Sequence, residues 1–411
     1  MKYKSPNVFD CPKYPLSDYR RIRTMKVLVT GGSGFVGTAT IHALHTAHPD
    51  WTIYNLDLHP PSSPTSPSSP SSPSTFLKAD ITSLPALHSL LSSLPRLDSI
   101  IHIAGLIPSG TSRYRPTPTV LSHVNAINIT GTSNILTAAR AARVKSLVYT
   151  SSCTVITDDL EHDYPLMRES LLPSGGATLP YGASKAAAEK LVLDADGAEM
   201  ATCALRPATV IGAGDSYGVV RTIAGLTRAE RAFCIGEGDN LFDFVEVRNV
   251  AGAVVGAVEN LLGMLGVGDE DDGVDEGDGG DEVGKGERRS ARGKAIFVSN
   301  GQPVYFRDFM KAVWARCDGH VPWDVKVPEG LAWWLGLVSE TMGWVIGREV
   351  ALSRGSVMDA VGTRYADITR ARELLGYEPR IGMAEAVRVA CDDYLRQRRE
   401  EEMRKAERKE K

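Results

Sequence analysis

The chain contains little cysteine, and its thiols are scattered. The six residues are Cys11, Cys153, Cys203, Cys234, Cys317 and Cys391. They form no CxxC pair and no cluster with histidine, so the spacing predicts neither a zinc site nor a disulfide framework. Scattered thiols are typical of a reducing compartment. We therefore expect no bound metal.

Long apolar runs are also missing. No segment reaches the roughly 20 apolar residues that span a bilayer, and residues 1–24 lack the apolar stretch of a secretory signal. We expect a cytoplasmic protein. Peripheral attachment at the cytosolic face of the endoplasmic reticulum membrane stays open as an alternative.

A strong charge of one sign is missing as well. The formal net charge is −4, and residues 269–294 alone hold ten acidic and five basic side chains. The rest of the chain is close to neutral, which predicts no nucleic-acid partner. The 411 residues are 43% hydrophobic, enough to bury a large core.

Apolar, strand-like runs alternate with helical patterns through the first half. The runs are KVLVT, TIYNLDL, TFLKADI, DSIIHIAG, KSLVYTS and TCALRPATVIG. Such alternation predicts an α/β fold with a doubly wound parallel sheet of the Rossmann type and a smaller C-terminal substrate domain. A later run, AIFVSN, is assigned to the sheet edge.

Composition divides the chain into five parts. We predict an N-terminal extension at 1–24, a Rossmann dinucleotide-binding domain at 25–262, an acidic disordered insertion at 263–294, substrate-domain and sheet-edge elements at 295–395, and a charged helical tail at 396–411. Residues 60–75 form a second low-complexity segment, rich in proline and serine. Neither segment has enough apolar residues to form a core, so both are predicted to be disordered.

A glycine-rich turn follows the first strand-like run. In KVLVTGGSGFVG, Gly32, Gly34 and Gly37 form GxGxxG, and Gly31 extends the pattern. A dinucleotide site needs this tight turn because a pyrophosphate must approach the backbone at the start of the next helix. Asp57, twenty residues past Gly37, can accept hydrogen bonds from the adenosine ribose and would repel a 2′-phosphate. The motif therefore predicts NAD, with NADP as the alternative.

Residues 25–215 resemble the extended short-chain dehydrogenases/reductases, and within them the 3β-hydroxysteroid dehydrogenase/isomerase group. The matching motifs occur in the family's order: TGGSGFVG, LKADI, IHIAG, INITGTSNIL, LVYTSS, YGASK and LRPATVIGAGD. One departure lies further along, where Val254 stands at a position at which many members have a histidine. The resemblance implies an NAD(P)-dependent dehydrogenase.

The resemblance also implies functional residues. The catalytic set would be Ser152, Tyr181 and Lys185, with Asn128 holding the active-site helix. The cofactor would contact Gly31, Gly32, Gly34, Phe35, Val36, Gly37, Asp57, Asp80, Ile81, Ala104, Gly105, Lys185 and Pro207. Alternatives remain: Asp80 as an ordinary turn residue, Asn128 as a helix cap, and His102 as a packed strand residue.

Tyr181 and Lys185 have a spacing that suits proton transfer. Residues four apart share a helix face, although the spacing alone also fits an ordinary solvated surface. A free tyrosine has a pKa of about 10, too high for a general base near neutral pH. A lysine ammonium beside the phenol favours the phenolate. The resemblance then implies that Tyr181 removes the proton of a substrate alcohol while Ser152 positions its oxygen.

One apolar segment, residues 331–347, has two interpretations. Its large side chains repeat at helical spacing: Leu331, Trp334, Leu335, Val338, Met342 and Val345. The helix could pack on the substrate domain, or it could form a lid or a peripheral membrane contact beside a sterol pocket.

The prediction is oxidation of the 3β-hydroxyl of a sterol or steroid, with decarboxylation of a C4-carboxylated sterol included. Two alternatives stay open: a nucleotide-sugar epimerase or dehydratase, and a non-catalytic NAD(P)-sensing regulator on the same fold. A homodimer is also left open.

Overall fold

The computed structural model describes residues 24–61, 74–108, 110–157, 160–171, 179–216, 218–264, 290–346, 350 and 352–410. Nearly all of the N-terminal extension and most of both low-complexity segments lie outside these residues, so the disorder prediction is untested there. Thr75 and Lys294, the last residues of the two predicted segments, each begin a strand.

The described part of the chain alternates strands and helices. The strands are β1 (Lys26–Thr30), β2 (Thr52–Asp57), β3 (Thr75–Lys78), β4 (Ser99–His102), β5 (Ser146–Thr150), β6 (Tyr164–Met167), β7 (Ala201–Pro207), β8 (Thr209–Ile211), β9 (Phe233–Ile235), β10 (Leu241–Phe242), β11 (Phe244–Glu246), β12 (Lys294–Val298), β13 (Val304–Tyr305), β14 (Val325–Val327) and β15 (Arg364–Ala366). The helices are α1 (Phe35–Ala47), α2 (Leu84–Ser93), α3 (Pro118–Asn125), α4 (Gly131–Ala141), α5 (Thr154–Thr157), α6 (Pro180–Asp194), α7 (Val219–Gly225), α8 (Arg228–Ala232), α9 (Val247–Leu261), α10 (Phe306–Asp318), α11 (Glu329–Ile346), α12 (Arg354–Val361), α13 (Thr369–Leu375) and α14 (Met383–Glu410). A short 3₁₀ turn (Gly110–Arg113) precedes α3, and a π-helical turn (Ala126–Thr130) joins α3 to α4.

A seven-stranded sheet forms the centre of the molecule. Its order is β12-β7-β5-β4-β1-β2-β3, and all neighbouring strands are parallel. Consecutive residues such as Ile100 and Ile101 are both fully buried, because helices cover both faces of the sheet. The predicted doubly wound fold is confirmed, and AIFVSN forms the edge strand β12.

The order of the strands creates a cleft. The chain runs outward from β1 to β2 and β3, then returns to place β4 on the other side of β1. In such sheets ligands bind at this switch point, beyond the carboxyl ends of the strands. The glycine-rich turn follows β1 at this edge.

Segments that leave the carboxyl ends of β5, β7 and β12 build smaller elements. A four-stranded sheet has the order β13-β10-β15-β6, and a third hydrophobic cluster joins α7, α10 and α14. In that cluster Phe244 stacks on Phe309 at a centroid distance of 4.0 Å, and the Trp314 indole donates to the Ile223 carbonyl oxygen at 2.8 Å. The four-stranded sheet takes strands from both sides of residue 262, and the domain boundaries stay a prediction.

Helix α11 turns its apolar face outward. Leu331, Trp334, Leu335, Val338, Met342 and Val345 are all exposed, with Trp334 at 62% and Val345 at 76%. The inward face carries small or charged residues: Ala332, Gly336 and Glu340. The helix therefore packs on the rest of the chain through its small and charged residues, and not through the apolar residues that the sequence singles out. Among the described helices, none is both long and apolar enough to cross a bilayer.

Candidate active site

The glycine-rich turn is tightly built except on one side. Gly31 has a φ of +70°, and a Cβ there would lie 2.7 Å from the Ala104 nitrogen. A Cβ on Gly37 would lie 2.1 Å from the Gly31 oxygen. Gly34 is exposed, and its Cβ would meet only the Gly31 oxygen, at 3.3 Å. The open side of Gly34 is where a pyrophosphate can approach the backbone.

The first turn of α1 completes this cradle. Phe35 and Val36 are half-buried at its start, and the Gly34 nitrogen donates to the Gly31 oxygen at 3.1 Å. The first amides of a helix have no acceptor within the helix, and the helix dipole favours an anion there. The residues predicted at 31–37 thus fit a dinucleotide.

Asp57 lies at the carboxyl end of β2, against the glycine-rich turn. Its Oδ2 accepts a hydrogen bond from the Ser33 nitrogen at 3.1 Å, and its Oδ1 accepts from His59 at 3.3 Å. Asn55, which sequence reasoning missed, donates to Ser33 Oγ at 3.1 Å. The carboxylate is therefore fixed against the glycine-rich turn, and its contact with an adenosine ribose stays a prediction.

Asp80 and Ile81 occupy a turn after β3. Asp80 Oδ1 accepts hydrogen bonds from both the nitrogen and the hydroxyl of Thr82 at 2.8 Å, which is the geometry of an Asx turn. Ile81 is buried, and a Cβ on Gly131 would lie 2.6 Å from its Cδ1. Asp80 is thus a turn residue in this structure, and its contact with adenine stays a prediction.

Asn128 lies inside the π-helical turn and is 2% exposed. Its Oδ1 accepts from the Leu106 nitrogen at 2.7 Å, and its Nδ2 donates to the Leu106 oxygen at 3.0 Å and to Ser184 Oγ at 2.9 Å. It connects the segment after β4 to α6 and is not a helix cap. Ser184, its partner on α6, was missed.

Lys185 is buried beneath this connection. Its Nζ donates to the Thr150 oxygen at 2.8 Å and lies 4.7 Å from the centre of the Tyr149 ring. A Cβ on Gly105 would lie 3.3 Å from both the Lys185 Nζ and the Asn128 Oδ1. The structure therefore brings Gly105, Asn128 and Lys185 together, as the sequence predicts.

Tyr181 and Ser152 flank the same region. Tyr181 is 9% exposed and lies one helical turn before Lys185, on the same face of α6. Ser152 follows Thr150 by two residues, and its Oγ accepts from the Thr154 nitrogen at 3.2 Å. The next residue, Cys153, donates its backbone N–H to the Pro207 oxygen at 3.0 Å. Pro207 therefore lies beside the loop that carries Ser152.

Burial controls the charges of the site. It lowers the pKa of Lys185 to about 8, which still leaves most of the ammonium protonated at neutral pH. Burial, with the Lys185 charge nearby, lowers the pKa of His102 to about 3. His102 is therefore neutral.

The hydrogen bonds of His102 explain its role. Its ring nitrogens lie 2.7 Å from Thr30 Oγ1 and 2.9 Å from Thr132 Oγ1. The Thr132 hydroxyl donates to the Asn128 oxygen at 2.6 Å, so His102 Nε2 must be the donor to Thr132. His102 links β1 to α4, which agrees with the packed-strand alternative.

A buried ion pair joins α6 to β7. Arg206 donates through Nε and Nη2 to both carboxylate oxygens of Glu189, at 3.0 and 2.6 Å. Both side chains are at most 4% exposed. Glu189 lies four residues after Lys185 on the buried face of α6. That spacing could have indicated that Glu189 shares the buried face of Lys185, but only the fold identifies Arg206 as its partner.

A model of the 3-beta hydroxysteroid dehydrogenase/isomerase family matches residues 28–328. The chain belongs to this family. It is therefore an NAD(P)-dependent oxidoreductase of the extended short-chain dehydrogenase type, as the motifs predict.

Curated relatives give a consistent picture. A decarboxylating sterol-4-alpha-carboxylate 3-dehydrogenase from Schizosaccharomyces pombe is 31% identical over 268 residues, covering 64% of this chain and 70% of the relative. The Candida albicans protein of the same name is 29% identical over 374 residues, covering 89% and 96%. Among solved structures, the Thermus thermophilus UDP-glucose 4-epimerase complex with NAD has a TM-score of 0.59 at 19% identity, covering 90% of this chain and 99% of that one. This last likeness concerns the fold.

Proposed function

We propose that this chain oxidises the 3β-hydroxyl of a sterol, with NAD as cofactor, and that its preferred substrate is a C4-carboxylated sterol. The observation that carries the proposal is the buried Lys185 ammonium, fixed one helical turn from Tyr181 in a chain whose curated relatives are sterol-4-alpha-carboxylate 3-dehydrogenases.

The protein's own residues divide the chemistry. Tyr181, as phenolate, accepts the proton of the substrate hydroxyl, and the Lys185 ammonium favours that phenolate. Ser152 donates a hydrogen bond that positions the substrate oxygen. The Asn128–Leu106 bonds fix the segment after β4, and the Lys185–Thr150 bond fixes α6 against the end of β5. NAD, when bound, would accept the hydride from C3.

The cofactor site favours NAD over NADP. The open side of Gly34 and the first turn of α1 would hold the pyrophosphate, and Asp57 would face the adenosine ribose. A 2′-phosphate at that place would meet the Asp57 carboxylate, with like charges in contact. The unmodified hydroxyl would instead donate a hydrogen bond to it.

Decarboxylation needs no additional catalytic group. Oxidation converts the C3 alcohol into a ketone adjacent to the carbon that carries the carboxylate. When the C4–carboxyl bond breaks, its electron pair moves toward the ketone oxygen as an enolate and CO₂ leaves. The enolate then takes a proton at C4 to give the ketone.

The exposed face of α11 supports a peripheral membrane location. Six large apolar side chains cover one side of the helix, and exposed patches of this kind mark interaction surfaces. A sterol is concentrated in membranes, so this face would rest on the cytosolic surface of the endoplasmic reticulum membrane. A second copy of the chain is the alternative occupant, and the mass of the protein in lipid-free solution distinguishes the two.

A substrate comparison tests the proposal. The purified protein is assayed for NADH formation with 3β-hydroxysterols, with and without a 4-carboxyl group, and for conversion of UDP-glucose. The proposal predicts NADH formation with the sterols alone. Conversion of UDP-glucose without sterol oxidation would favour the nucleotide-sugar alternative, and NAD binding without turnover of any substrate would favour the regulator.

A further inference from the structure

A small cavity adjoins the candidate active site at the carboxyl ends of β5, β7 and β12. It has a volume of about 30 Å³, and its lining includes Cys153, Thr154 and Ala208. Cys153 follows Ser152, and Ala208 follows Pro207, so the cavity is lined by the residues next to two predicted site residues. A cavity needs only ~10–15 Å³ to hold one water. The space therefore suits a small polar group.

Two buried guanidinium groups line this cavity, and both have nitrogens without a partner. Arg206 is 3% exposed and Arg364 is 6% exposed. Within the part of the chain that the structure describes, Arg206 Nη1 and Arg364 Nε and Nη2 are buried without an acceptor. Among the described residues of the same lining, Asp243 Oδ1 and Thr154 Oγ1 are also buried without a partner. A buried donor left without an acceptor is costly, so an acceptor group in the cavity would stabilise the three nitrogens.

Both guanidinium groups are fixed by carboxylates on their other nitrogens. Arg206 is held by Glu189, and Arg364 Nη1 donates to Asp359. Asp359 is itself held by Tyr114, whose hydroxyl donates at 2.8 Å. The unpartnered nitrogens are therefore pre-organised, which reduces the entropy lost when an anion binds.

We propose that this cavity, the guanidinium pocket formed by Arg206 and Arg364, binds the carboxylate on C4 of the substrate sterol. The proposal deepens the proposed function and rests on it. A carboxylate offers two acceptor oxygens to the free nitrogens, whereas a methyl group at C4 would leave them unsatisfied.

Asp243 also lines the pocket, and its charge would oppose the entry of a second carboxylate. Its Oδ2 accepts from the Ala366 nitrogen at 3.0 Å, and burial raises its pKa to about 6. The side chain can therefore take a proton close to neutral pH when a second carboxylate enters. The protonated acid would then donate a hydrogen bond to the substrate.

The pocket also orders the two chemical events. Guanidinium groups stabilise the carboxylate, and loss of CO₂ would remove that charge from them. Oxidation at C3 therefore occurs while the carboxylate is held, and the C4–carboxyl bond breaks after the 3-keto acid leaves the pocket.

The test compares two substrates in three variants of the full chain. kcat/KM is measured for a 4-carboxylated 3β-hydroxysterol and for the same sterol with a methyl group in place of the carboxyl. In Arg364→Gln the preference for the acid should fall about 10- to 100-fold, the effect of losing a charged hydrogen bond. Arg364→Lys keeps the charge without the paired N–H groups and should give an intermediate preference.

Arg354→Gln is the matched control. Arg354 pairs with Glu340 at 3.0 Å, outside the pocket, so its loss should leave the preference unchanged. An equal fall in the preference for the acid in Arg354→Gln and Arg364→Gln would overturn the pocket. An unmodified protein that does not prefer the acid would also overturn it, because the pocket would then hold only water. If Arg364→Gln does not fold, the Arg364→Lys preference decides: a value equal to that of the unmodified protein overturns the pocket.

The failure of the proposed function is distinguishable from the failure of the pocket. Oxidation of both sterols at equal rates keeps the sterol dehydrogenase and removes the pocket. If neither sterol is oxidised, the proposed function fails, and equilibrium binding of the two sterols decides the pocket separately. Tighter binding of the acid, lost in Arg364→Gln, would retain it, and equal binding would remove it.

Discussion

The ammonium of Lys185 lies 2.8 Å from the carbonyl oxygen of Thr150, two residues before Ser152. This bond crosses from α6 to the end of β5 and sets the distance between the two elements that carry Tyr181 and Ser152. It also places a positive charge in a fully enclosed position, 4% exposed. Catalysis and stability therefore make opposite demands on the same side chain.

The pH dependence of stability should reveal that conflict. Burial lowers the pKa of Lys185 from 10.5 to about 8. Between these pH values the unfolded chain retains a proton that the folded chain has lost, so this residue makes the protein more stable as pH rises from 8 to 10.5. Below pH 8 both states are protonated and the folded state bears the full cost.

Lys185→Met isolates this contribution. The free energy of unfolding of the variant, relative to the unmodified protein, should fall by about 3 kcal/mol across that window, at 1.36 kcal/mol per pKa unit. Urea denaturation of both proteins over a pH series measures the difference. A difference that does not change with pH would show that Lys185 is not the buried cation described here.

Tyr181→Phe should abolish turnover and leave cofactor binding intact. The substitution removes the proton acceptor, a loss of ~10²–10⁴-fold in kcat, while the glycine-rich turn and Asp57 are unchanged. Stopped assays give kcat, and titration with NAD gives the dissociation constant. Tyr305→Phe is the control, since Tyr305 is 48% exposed on β13. Near-normal activity of Tyr181→Phe would remove the residue from its role.

Asp57→Ala should shift cofactor choice toward NADP. Loss of the carboxylate beside Ser33 removes the charge that would face a 2′-phosphate, and the NAD/NADP ratio of kcat/KM should fall about tenfold or more. Asp50→Ala is the control because Asp50 is exposed just before β2, at the opposite end of the strand. An unchanged ratio in Asp57→Ala would contradict the assignment of the ribose site.

The exposed face of α11 should control membrane binding. Replacing Trp334, Leu335 and Val338 with serine removes exposed apolar surface without touching the Glu340–Arg354 pair. Co-sedimentation with liposomes should fall, and KM should rise more for a membrane-borne sterol than for a soluble steroid. Met403→Ser, exposed on α14, is the control. The anchoring proposal fails if the unmodified protein does not bind liposomes.

Local patterns predicted most of the sheet. The strand-like runs are apolar because both faces of a parallel sheet are covered by helices. A continuous apolar run can be recognised from the local sequence alone. The glycine-rich turn is equally local, since Gly31 and Gly37 meet backbone atoms that no Cβ could accommodate. Family motifs then predicted Ser152, Tyr181 and Lys185 as the catalytic set.

Features that depend on distant partners could not be predicted. Asn128 bonds to Leu106 and Ser184, and His102 joins Thr30 to Thr132, because the fold brings these segments together. The spacing of apolar residues in α11 predicted that they share one helix face, but not that this face points away from the rest of the chain. The charged pair between Glu340 and Arg354 directs the opposite face inward. The unpartnered Nε and Nη2 of Arg364 likewise become evident only in the fold, where Asp359 accepts the hydrogen bond of the remaining nitrogen, Nη1.

The most direct measurement follows the hydrogen on C3. A 4-carboxylated 3β-hydroxysterol carrying deuterium at C3 is incubated with the protein and NAD, and the reduced cofactor and sterol products are examined by mass spectrometry. The account predicts one deuterium in the reduced cofactor for each 3-ketone formed, and both products should form ~10²–10⁴-fold more slowly in Tyr181→Phe. Reduced cofactor without deuterium, or a sterol that keeps its label while NAD is consumed, would contradict it.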